Sequence, residues 1–95
     1  MIKITAIIPT LNEEIHIEEA INSVSFADEI IIIDSYSTDK TIELVEKKNL
    51  KNLKIVQRKF DDFSTQKNYA IDLAENKWIY ILDADERVTP AVEKE

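Results

Sequence analysis

The sequence predicts an α/β domain with a parallel sheet in the strand order 3-2-1-4 and helices on both faces. Four short apolar runs alternate with three segments of helical periodicity along the 95 residues, and this alternation is typical of β-α-β units with right-handed crossovers. Residues 30–33 are four consecutive isoleucines, which favours a strand that is covered on both faces. We therefore expect a Rossmann-like arrangement in one small domain that spans residues 1–95.

The first half of the chain predicts two strands and two helices. Residues 3–8 form the first strand, and Pro9 is expected to end it because proline cannot donate to a β-ladder. The segment TLNE at residues 10–13 has the form of a capping box and is expected to open the first helix. Residues 29–33 form the second strand, and residues 41–48 form the second helix.

The second half predicts a strand, a helix and a last strand. The third strand covers residues 53–57, and Ser64 is expected to cap the third helix, with Asp61 and Asp62 as solvated residues of the preceding turn. The buried face of that helix is expected to comprise Tyr69, Ala70, Leu73 and Ala74. Residues 78–82 form the fourth strand, and no further strand is expected after it.

Composition excludes several classes of function. The formal net charge of −7 comes from 19 acidic and 12 basic residues, and no basic stripe is interleaved with aromatic residues, so nucleic-acid binding is disfavoured. The chain has no cysteine, which removes disulfides, thiolate nucleophiles and cysteine-based zinc sites. The apolar run before Pro9 is too short for a signal peptide or a membrane span. We expect a cytoplasmic protein.

The sequence contains no glycine, and this narrows the kinds of phosphate site that it can form. P-loops and dinucleotide fingerprints require glycine for tight turns and for close approach of the backbone to phosphate. A phosphate ligand would therefore need another source of positive charge. A metal ion held by carboxylates is the expected source.

Polar residues follow three of the four predicted strands. Pro9 and Thr10 come after the first strand, Asp34 after the second, and Asp83 and Asp85 after the fourth. Because the carboxyl ends of parallel strands meet at one edge, these residues should converge at the switch point between the first and fourth strands. We expect Asp85 to bind a metal ion and Asp83 to reach a neighbouring hydroxyl.

Two further residues have both a structural and a functional interpretation. Glu13 either completes the capping box or contacts a ligand. Lys67 lies in the first turn of the third predicted helix, where the helix dipole disfavours a cation. Its side chain is therefore either simply solvated or paired with an anionic ligand.

Four motifs resemble those of the inverting nucleotide-sugar glycosyltransferases of family 2, which have the GT-A fold. They are IPTLNE at residues 8–13, IDSYSTDKT at residues 33–41, QKNYA at residues 66–70 and the DxD motif DAD at residues 83–85. Together they cover nearly the whole chain. Residues 60–86 are similar to the branch associated with lipopolysaccharide core biosynthesis. This chain has Ser35 and Tyr36 where many members have aspartate and glycine.

The resemblance implies a site for a nucleotide sugar, most simply a UDP-sugar. The nucleotide-binding residues would be Pro9, Thr10, Asn12, Glu13, Asp34, Lys67 and Asp83. Within that set, Asp83 would contact the ribose, and Lys67 would contact the base or the diphosphate. Asp85 would hold Mg²⁺ or Mn²⁺ against the phosphates, and the metal would neutralise the leaving nucleoside diphosphate.

The resemblance also implies that these residues are the donor-binding half of a longer enzyme. The acceptor-binding half and the catalytic base of the family lie beyond the DxD motif, so we expect both beyond Glu95 and expect the 95-residue chain alone to be inactive. The full-length enzyme would build a bacterial surface glycan or lipopolysaccharide. It would act on a glycan or lipid-linked acceptor, peripherally at the inner face of the membrane.

Two other functions are open on the residues alone. One is a stand-alone nucleotide-binding or interaction module without catalysis. The other, a phosphoacceptor domain, is less consistent with the sequence because it would need paired acids after the first strand. With no fifth strand, the fourth strand would be a sheet edge, and exposed edges pair with other chains. We therefore expect self-association through residues 78–82.

Overall fold

Five strands form one sheet in the computed structural model, which describes residues 2–83 and 91–93. The elements in chain order are β1 (Ile4–Thr10), α1 (Ile17–Ser23), β2 (Glu29–Asp34), α2 (Thr41–Lys47), β3 (Leu53–Gln57), α3 (Phe63–Leu73), β4 (Trp78–Ile81) and β5 (Ala91–Glu93). The longest of these helices, α3, has 11 residues, and no helix in the described ranges is long and apolar enough to cross a membrane.

The sheet order is β3-β2-β1-β4-β5, so the predicted order 3-2-1-4 of the parallel strands is confirmed. β1 is central: Ile7 is level with Ile31 on β2 and with Ile81 on β4, and both pairings are parallel. β3 continues the sheet beyond β2, again in parallel. The chain therefore crosses back over β1 between β3 and β4, which places the switch point of the sheet between β1 and β4.

Two apolar layers cover the sheet, one on each face. The first packs α1 and α2 against alternate residues of the strands, among them Ala6, Ile8, Ile30 and Ile32. The second packs α3 against the other set, including Ile7, Ile31 and Ile79. The four isoleucines of β2 are at most 1% exposed, because each face of that strand is covered. This arrangement explains why the strand carries an uninterrupted apolar run.

The predicted boundary between β1 and α1 was wrong. β1 continues through Pro9, which is level with Ile33 of β2, and ends at Thr10. The carbonyl of Ile7 accepts from the N–H of Leu82, so the polar backbone groups of Ile7 face β4. Pro9 lies two residues later, and its nitrogen therefore also points to the side of β4. The last pair of residues between the two strands is Ile7 with Ile81, however, so no β4 residue is level with Pro9. The missing donor of Pro9 therefore breaks no ladder bond.

The predicted capping box at residues 10–13 was also wrong. α1 begins only at Ile17, and its N-cap residue His16 makes no side-chain cap hydrogen bond. The hydroxyl of Thr10 instead donates to Asp34, and the N–H of Glu13 donates to the hydroxyl of Thr41. Partners about 25 residues away in the chain have replaced the local capping pattern.

The start and the buried face of α3 differ from the prediction. Asp62, predicted as a solvated turn residue, is the N-cap, and its carboxylate accepts from the N–H and the hydroxyl of Thr65. Among the described residues of this segment, the buried ones are Gln66, Ala70 and Ala74. Tyr69 and Leu73, predicted to be buried, are 41% and 36% exposed.

The predicted absence of a strand after β4 was wrong. β5 pairs with β4 in the antiparallel direction, with Trp78 level with Glu93 and Tyr80 level with Ala91. β4 is therefore not a sheet edge along residues 78–80. The prediction of self-association through residues 78–82 depended on that edge, and the structure removes this reason for it.

Candidate functional site

A cavity of about 430 Å³ lies at the carboxyl ends of β1, β2 and β4. Four of its lining residues are among those predicted from the sequence: Pro9, Thr10, Glu13 and Asp83. Five others were not predicted: Leu11, Ser35, Phe60, Phe63 and Gln66. The cavity occupies the switch point of the sheet, which is where α/β domains of this order bind their ligands.

The remaining predicted site residues lie elsewhere. Asn12, Asp34 and Lys67 do not line the cavity, although each belongs to a segment that borders it. Asp34 is fully buried at the end of β2. Asp85, the predicted metal ligand, lies outside the described residues, so its role stays a prediction.

Asp34 anchors the two loops that form the floor of the cavity. One carboxylate oxygen accepts from the hydroxyls of Thr10 at 2.5 Å and Ser37 at 2.6 Å, and the other accepts from the N–H of Ser37 at 2.8 Å. A carboxylate that is removed from water needs such partners, because an unpaired buried charge is costly. Asp34 thereby ties the end of β1 to the loop after β2.

The loop after β1 is hydrogen-bonded to the loop after β2 along its length; we call this contact between residues 10–14 and 34–41 the loop interlock. The N–H of Asn12 donates to Ser37 Oγ at 2.8 Å, and the N–H of Thr38 donates to Asn12 Oδ1 at 2.8 Å. Further along, the N–H of Glu14 donates to Asp39 Oδ2 at 3.1 Å. Asn12 therefore contributes to the cavity by fixing the backbone around it.

Positive backbone φ angles occur in this glycine-free chain at residues that usually avoid them. Among the described residues, Asn12, Tyr36 and Asn49 have φ values of 55°, 57° and 51°. Asparagine tolerates the left-handed region better than most residues, whereas an aromatic residue there is unusual. Tyr36 is held in place because its N–H donates to Gln57 Oε1 at 2.9 Å. The interlocked loops thus fix a conformation that glycine would adopt without strain.

An aromatic pair, Phe60 and Phe63, forms one wall of the cavity. The two rings meet edge to face with centroids 5.1 Å apart, and Lys67 Nζ lies 5.9 Å from the centroid of the Phe63 ring. Phe63 is 64% exposed, so the wall presents flat apolar surface that no described element covers. In the sequence, residues 58–63 mix charged and aromatic side chains, and nothing in that pattern predicts that the two rings belong to a site.

Arg58 holds the loop that carries this aromatic wall. The backbone N–H of Arg58 donates to the backbone carbonyl of Asp34 at 2.9 Å. Its guanidinium donates to both carboxylate oxygens of Asp61 at 2.9 and 3.2 Å. That hydrogen-bonded ion pair lowers the pKa of Asp61 to about 2. The guanidinium also lies 5.1 Å from the centroid of the Tyr69 ring. Residues 58–62 are thus fixed to both β2 and α3.

Two acidic residues, Glu13 and Asp83, line the cavity. Within residues 2–83 and 91–93, no group of three or more acidic, histidine or cysteine side chains is placed to hold a metal ion. Asp83 is half-buried and lines the cavity, and carboxylate oxygens are the ligands that Mg²⁺ and Mn²⁺ prefer. The described residues thus bring carboxylates to this edge without a complete metal site, and a bound Mg²⁺ or Mn²⁺ stays a prediction.

A second cavity, of about 340 Å³, lies at the opposite end of the sheet beside the buried acid Glu29. Burial raises the pKa of Glu29, but hydrogen bonds from the N–H of Glu75, the hydroxyl of Thr5 and the ammonium of Lys54 outweigh that effect and lower it. The Lys54 Nζ is 3.1 Å from Glu29 Oε2. Each of these partners stabilises the charged form, so this group has a structural role in joining β1, β2, β3 and the end of α3.

Comparisons with known proteins show that the chain is similar in sequence to glycosyltransferases. The family model described as "Glycosyl transferase family 2" matches residues 5–94. An uncharacterized glycosyltransferase of Rickettsia bellii (strain RML369-C) is 42% identical over 94 residues, which cover 98% of this chain and 31% of the relative.

Two relatives with more specific names match over a smaller share of their own length. The poly(ribitol-phosphate) beta-N-acetylglucosaminyltransferase TarS of Staphylococcus aureus (strain Mu50 / ATCC 700699) is 34% identical over 97 residues, covering 93% of this chain and 17% of the relative. The SPbeta prophage-derived glycosyltransferase SunS of Bacillus subtilis (strain 168) is 40% identical over 84 residues, covering 86% and 20%. The chain therefore spans a third or less of the length of these curated relatives.

Proposed function

The chain belongs to glycosyltransferase family 2, and we propose that it forms the nucleotide-sugar-binding part of an inverting glycosyltransferase that uses a UDP-sugar. The observation that carries the proposal is the cavity at the switch point, with aromatic rings on one wall, hydroxyl and amide groups on its floor and acids at Glu13 and Asp83. Its volume of about 430 Å³ is typical of a small-molecule site.

The lining chemistry supports a nucleoside as the ligand. A base is flat and largely apolar on its faces, and Phe60 and Phe63 offer a matching surface on which it can stack. A ribose carries hydroxyl donors, and the half-buried carboxylate of Asp83 is an acceptor at the same cavity. We infer that the base lies toward the aromatic wall and the ribose toward Asp83.

The loop interlock would serve this site by preorganisation. Asp34, Asn12 and Asp39 hold the backbone of both loops before any ligand arrives. Binding then orders fewer groups, which lowers the entropic cost of association. In this proposal Asp34 acts beneath the ligand by positioning Thr10, and Lys67 provides a cation beside the aromatic wall.

A divalent cation is part of the proposal. Asp85 would hold Mg²⁺ or Mn²⁺ next to Asp83, in a DxD sequence that is rich in the oxygen ligands these ions take. When bound, the metal would neutralise charge on the leaving nucleoside diphosphate. The protein's own contribution at this edge is to orient the nucleotide between the aromatic wall and the carboxylates.

The biological setting is also a proposal. One relative is named for transfer of N-acetylglucosamine to poly(ribitol-phosphate), and we infer by similarity that this chain takes part in building a bacterial surface glycan. The acceptor would be a glycan or a lipid-linked glycan. Synthesis of lipopolysaccharide is one form of this function, with the enzyme on the cytoplasmic side of the membrane.

Calorimetric titration with UDP, with and without Mn²⁺, tests the proposal. Wild type should bind UDP more tightly with Mn²⁺ present, and Asp85→Ala should bind UDP equally well in both conditions. Asp72→Ala, which removes an exposed acid on α3, is the matched control and should keep the wild-type response to Mn²⁺. Absence of UDP binding by the folded wild type would refute the nucleotide site. If wild type binds UDP with the same affinity with and without Mn²⁺, the role of the cation is refuted and the nucleotide site stands.

A further inference from the structure

The strand β3 forms one edge of the sheet, and part of its backbone faces away from the other strands. It is the last strand in the order of the described sheet. The N–H of Arg58, directly after β3, donates to the carbonyl of Asp34 on β2 at 2.9 Å. Because the backbone groups of a strand alternate in direction, those of Ile55 and Gln57 point away from β2. They form a row of donors and acceptors that could pair with another strand.

This edge lacks the usual features that prevent pairing. β3 is level with β2 at five consecutive positions, with no bulge and no proline, whereas edge strands are commonly protected by one of these or by a lysine that projects across the edge. The side chain of Lys54 is held on the face that α3 covers, because its ammonium lies 3.1 Å from Glu29 Oε2 and 3.4 Å from the carbonyl oxygen of Leu73. The edge is therefore regular and accessible.

The residues around β3 are basic, although the chain as a whole is acidic. Residues 47–59 contain half of the 12 basic residues and none of the 19 acidic ones. The six are Lys47, Lys48, Lys51, Lys54, Arg58 and Lys59. The other 82 residues carry the remaining six basic residues and every acid. The β3 edge is thus a basic strip on an acidic protein.

Two lysines of this strip have charges that no acid of the described chain neutralises. Ion pairs join Lys47 to Glu43, Lys54 to Glu29 and Arg58 to Asp61, and Lys48 donates to an asparagine side chain. Lys51 and Lys59 are exposed, and within residues 2–83 and 91–93 their ammonium groups form no hydrogen bond or ion pair. Lys51 comes two residues before β3, and Lys59 comes two residues after it. One free cation therefore lies at each end of the open edge.

We propose that the β3 edge binds an extended acidic segment of a partner protein, which joins the sheet as a further strand. The backbone groups of Ile55 and Gln57 would pair with the backbone of that segment, and its carboxylates would pair with Lys51 and Lys59. Main-chain bonds supply affinity in this mode of recognition, and side chains supply selectivity. No residue of β3 lines the cavity, so the inference goes beyond the proposed function and does not depend on it.

The same charges disfavour a second copy of this chain as the partner. In an antiparallel pair of β3 strands centred on Ile55, Lys51 of each copy would lie opposite Lys59 of the other. In a parallel pair in register, each lysine would lie opposite its own counterpart. Like charges directly opposite each other destabilise a strand pair. The lysines therefore select against self-pairing and for an acidic strand.

Two synthetic peptides test the inference on the 95-residue chain. Each has nine residues, with valine and threonine alternating in the middle, and the ends are both glutamate in one peptide and both lysine in the other. At low ionic strength the glutamate-ended peptide should bind roughly tenfold more tightly, because cross-strand attraction replaces repulsion at both ends. The preference should shrink as salt is added. The glutamate-ended peptide with N-methylated central residues should not bind, because it lacks the backbone donors.

Nuclear magnetic resonance locates the bound peptide. The amide signals of Ile55 and Gln57 should shift, and their exchange with solvent should slow, because these N–H groups gain acceptors. The amide protons of Lys54 and Val56 already face β2 and should change their exchange rates much less. This alternation along one strand distinguishes strand addition from a loose electrostatic contact, which would not separate neighbouring amides in this way.

A charge-reversal variant tests the role of the two lysines. Lys51→Glu combined with Lys59→Glu should bind the lysine-ended peptide more tightly than the glutamate-ended one, which is the reverse of wild type. Lys3→Glu combined with Lys40→Glu makes the same change in net charge at two exposed positions outside residues 47–59 and should keep the wild-type preference. Circular dichroism checks that both variants fold. If the first does not fold, the two peptides compared on wild type decide the question.

Three results would overturn the inference. The first is that folded wild type binds neither peptide, or binds both with equal affinity. The second is that the glutamate-ended peptide binds but leaves the exchange of the Ile55 and Gln57 amides unchanged. The third is that the chain alone dimerises with these two amides protected, since a second copy would then occupy the edge.

Discussion

Replacing Asp34 by alanine should destabilise the fold far more than loss of a surface acid. The side chain is fully buried and accepts three hydrogen bonds, two from hydroxyls and one from the N–H of Ser37. Hydrogen bonds to a charged group contribute about 1.5–3 kcal/mol each, and neighbouring bonds are not additive. We therefore expect the free energy of unfolding to fall by about 3–5 kcal/mol in Asp34→Ala, out of the ~5–15 kcal/mol typical of a small domain.

Asp34→Asn separates the charge of this group from its hydrogen-bonding pattern. The asparagine oxygen can accept from the N–H of Ser37, while its NH₂ group can donate to the hydroxyls of Thr10 and Ser37, which are also able to accept. All three contacts can thus be kept in neutral form. We expect a loss of only about 1–2 kcal/mol, the difference between charged and neutral hydrogen bonds at this site.

Urea denaturation followed by circular dichroism measures both losses, with the exposed-acid variant Asp72→Ala as the control. A loss of 3 kcal/mol corresponds to a melting temperature lower by roughly 12–24 °C for a domain of this size. Asp72→Ala should change the free energy of unfolding by less than about 0.5 kcal/mol. If Asp34→Ala is as stable as the control, or as stable as Asp34→Asn, then Asp34 does not anchor the two loops in the way described.

Three further predictions follow from single groups. Asp62→Ala should lower the free energy of unfolding by about 1 kcal/mol, as expected for a lost N-cap, whereas Ser64→Ala should not; equal urea midpoints would show that α3 is not capped by Asp62. Because the pKa of Glu29 is lowered in the folded state, the unfolded state binds more protons as the pH falls below the ordinary value of 4.5. The stability from Glu29 should therefore be present above that pH and be lost as the pH falls through the lowered pKa. Glu29→Gln should flatten this part of the profile of unfolding free energy against pH, and an unchanged profile would contradict the assignment. Phe63→Ala should weaken UDP binding by roughly 5- to 100-fold, the range for loss of one aromatic stacking partner, with little change in melting temperature because the ring is 64% exposed; unchanged affinity would remove Phe63 from the site.

The strand order was predictable because it depends on patterns within short, contiguous stretches of the sequence. A run of four isoleucines is hard to place anywhere except in a sheet covered on both faces, and alternation of strands with helical segments leaves few topologies open. The position of the cavity followed from the same reasoning, since parallel strands bring their carboxyl ends to one edge. Pro9, Thr10 and Asp83 were expected at this edge on that basis and line the cavity, whereas Asp34, expected there as well, does not line it.

The errors came where a distant partner replaced a local one. Residues 10–13 match a capping box, but the hydroxyl of Thr10 donates to Asp34 on the neighbouring strand β2. The backbone at Thr10 is therefore the end of β1 and not the start of a helix. On α3 the apolar pattern pointed to Tyr69 and Leu73, yet Gln66 takes a buried position because Ser35 and Arg58 satisfy its amide. A hydrophobic pattern cannot register a polar residue that is buried with its partners.

The remaining parts of the site carried no readable signal. Phe60 and Phe63 become a cavity wall only because Arg58 fixes the loop between β3 and α3. β5 has three residues, which is too short for a reliable period-two pattern. In both cases the information lies in contacts between segments, so a reading along the chain could not supply it.

The loop interlock has a consequence for how the site comes into existence during folding. Its hydrogen bonds join residues 24 to 28 positions apart in the chain, and they can form only once β1 and β2 are paired in their native register. A slip of one residue would turn every side chain of a strand to the other face and separate these partners. Contacts of this length form slowly compared with local helix formation. The amide protons of Asn12, Glu13 and Thr38 should therefore exchange with solvent only when β1 and β2 separate, and a partly folded chain should have no cavity with which to capture a ligand.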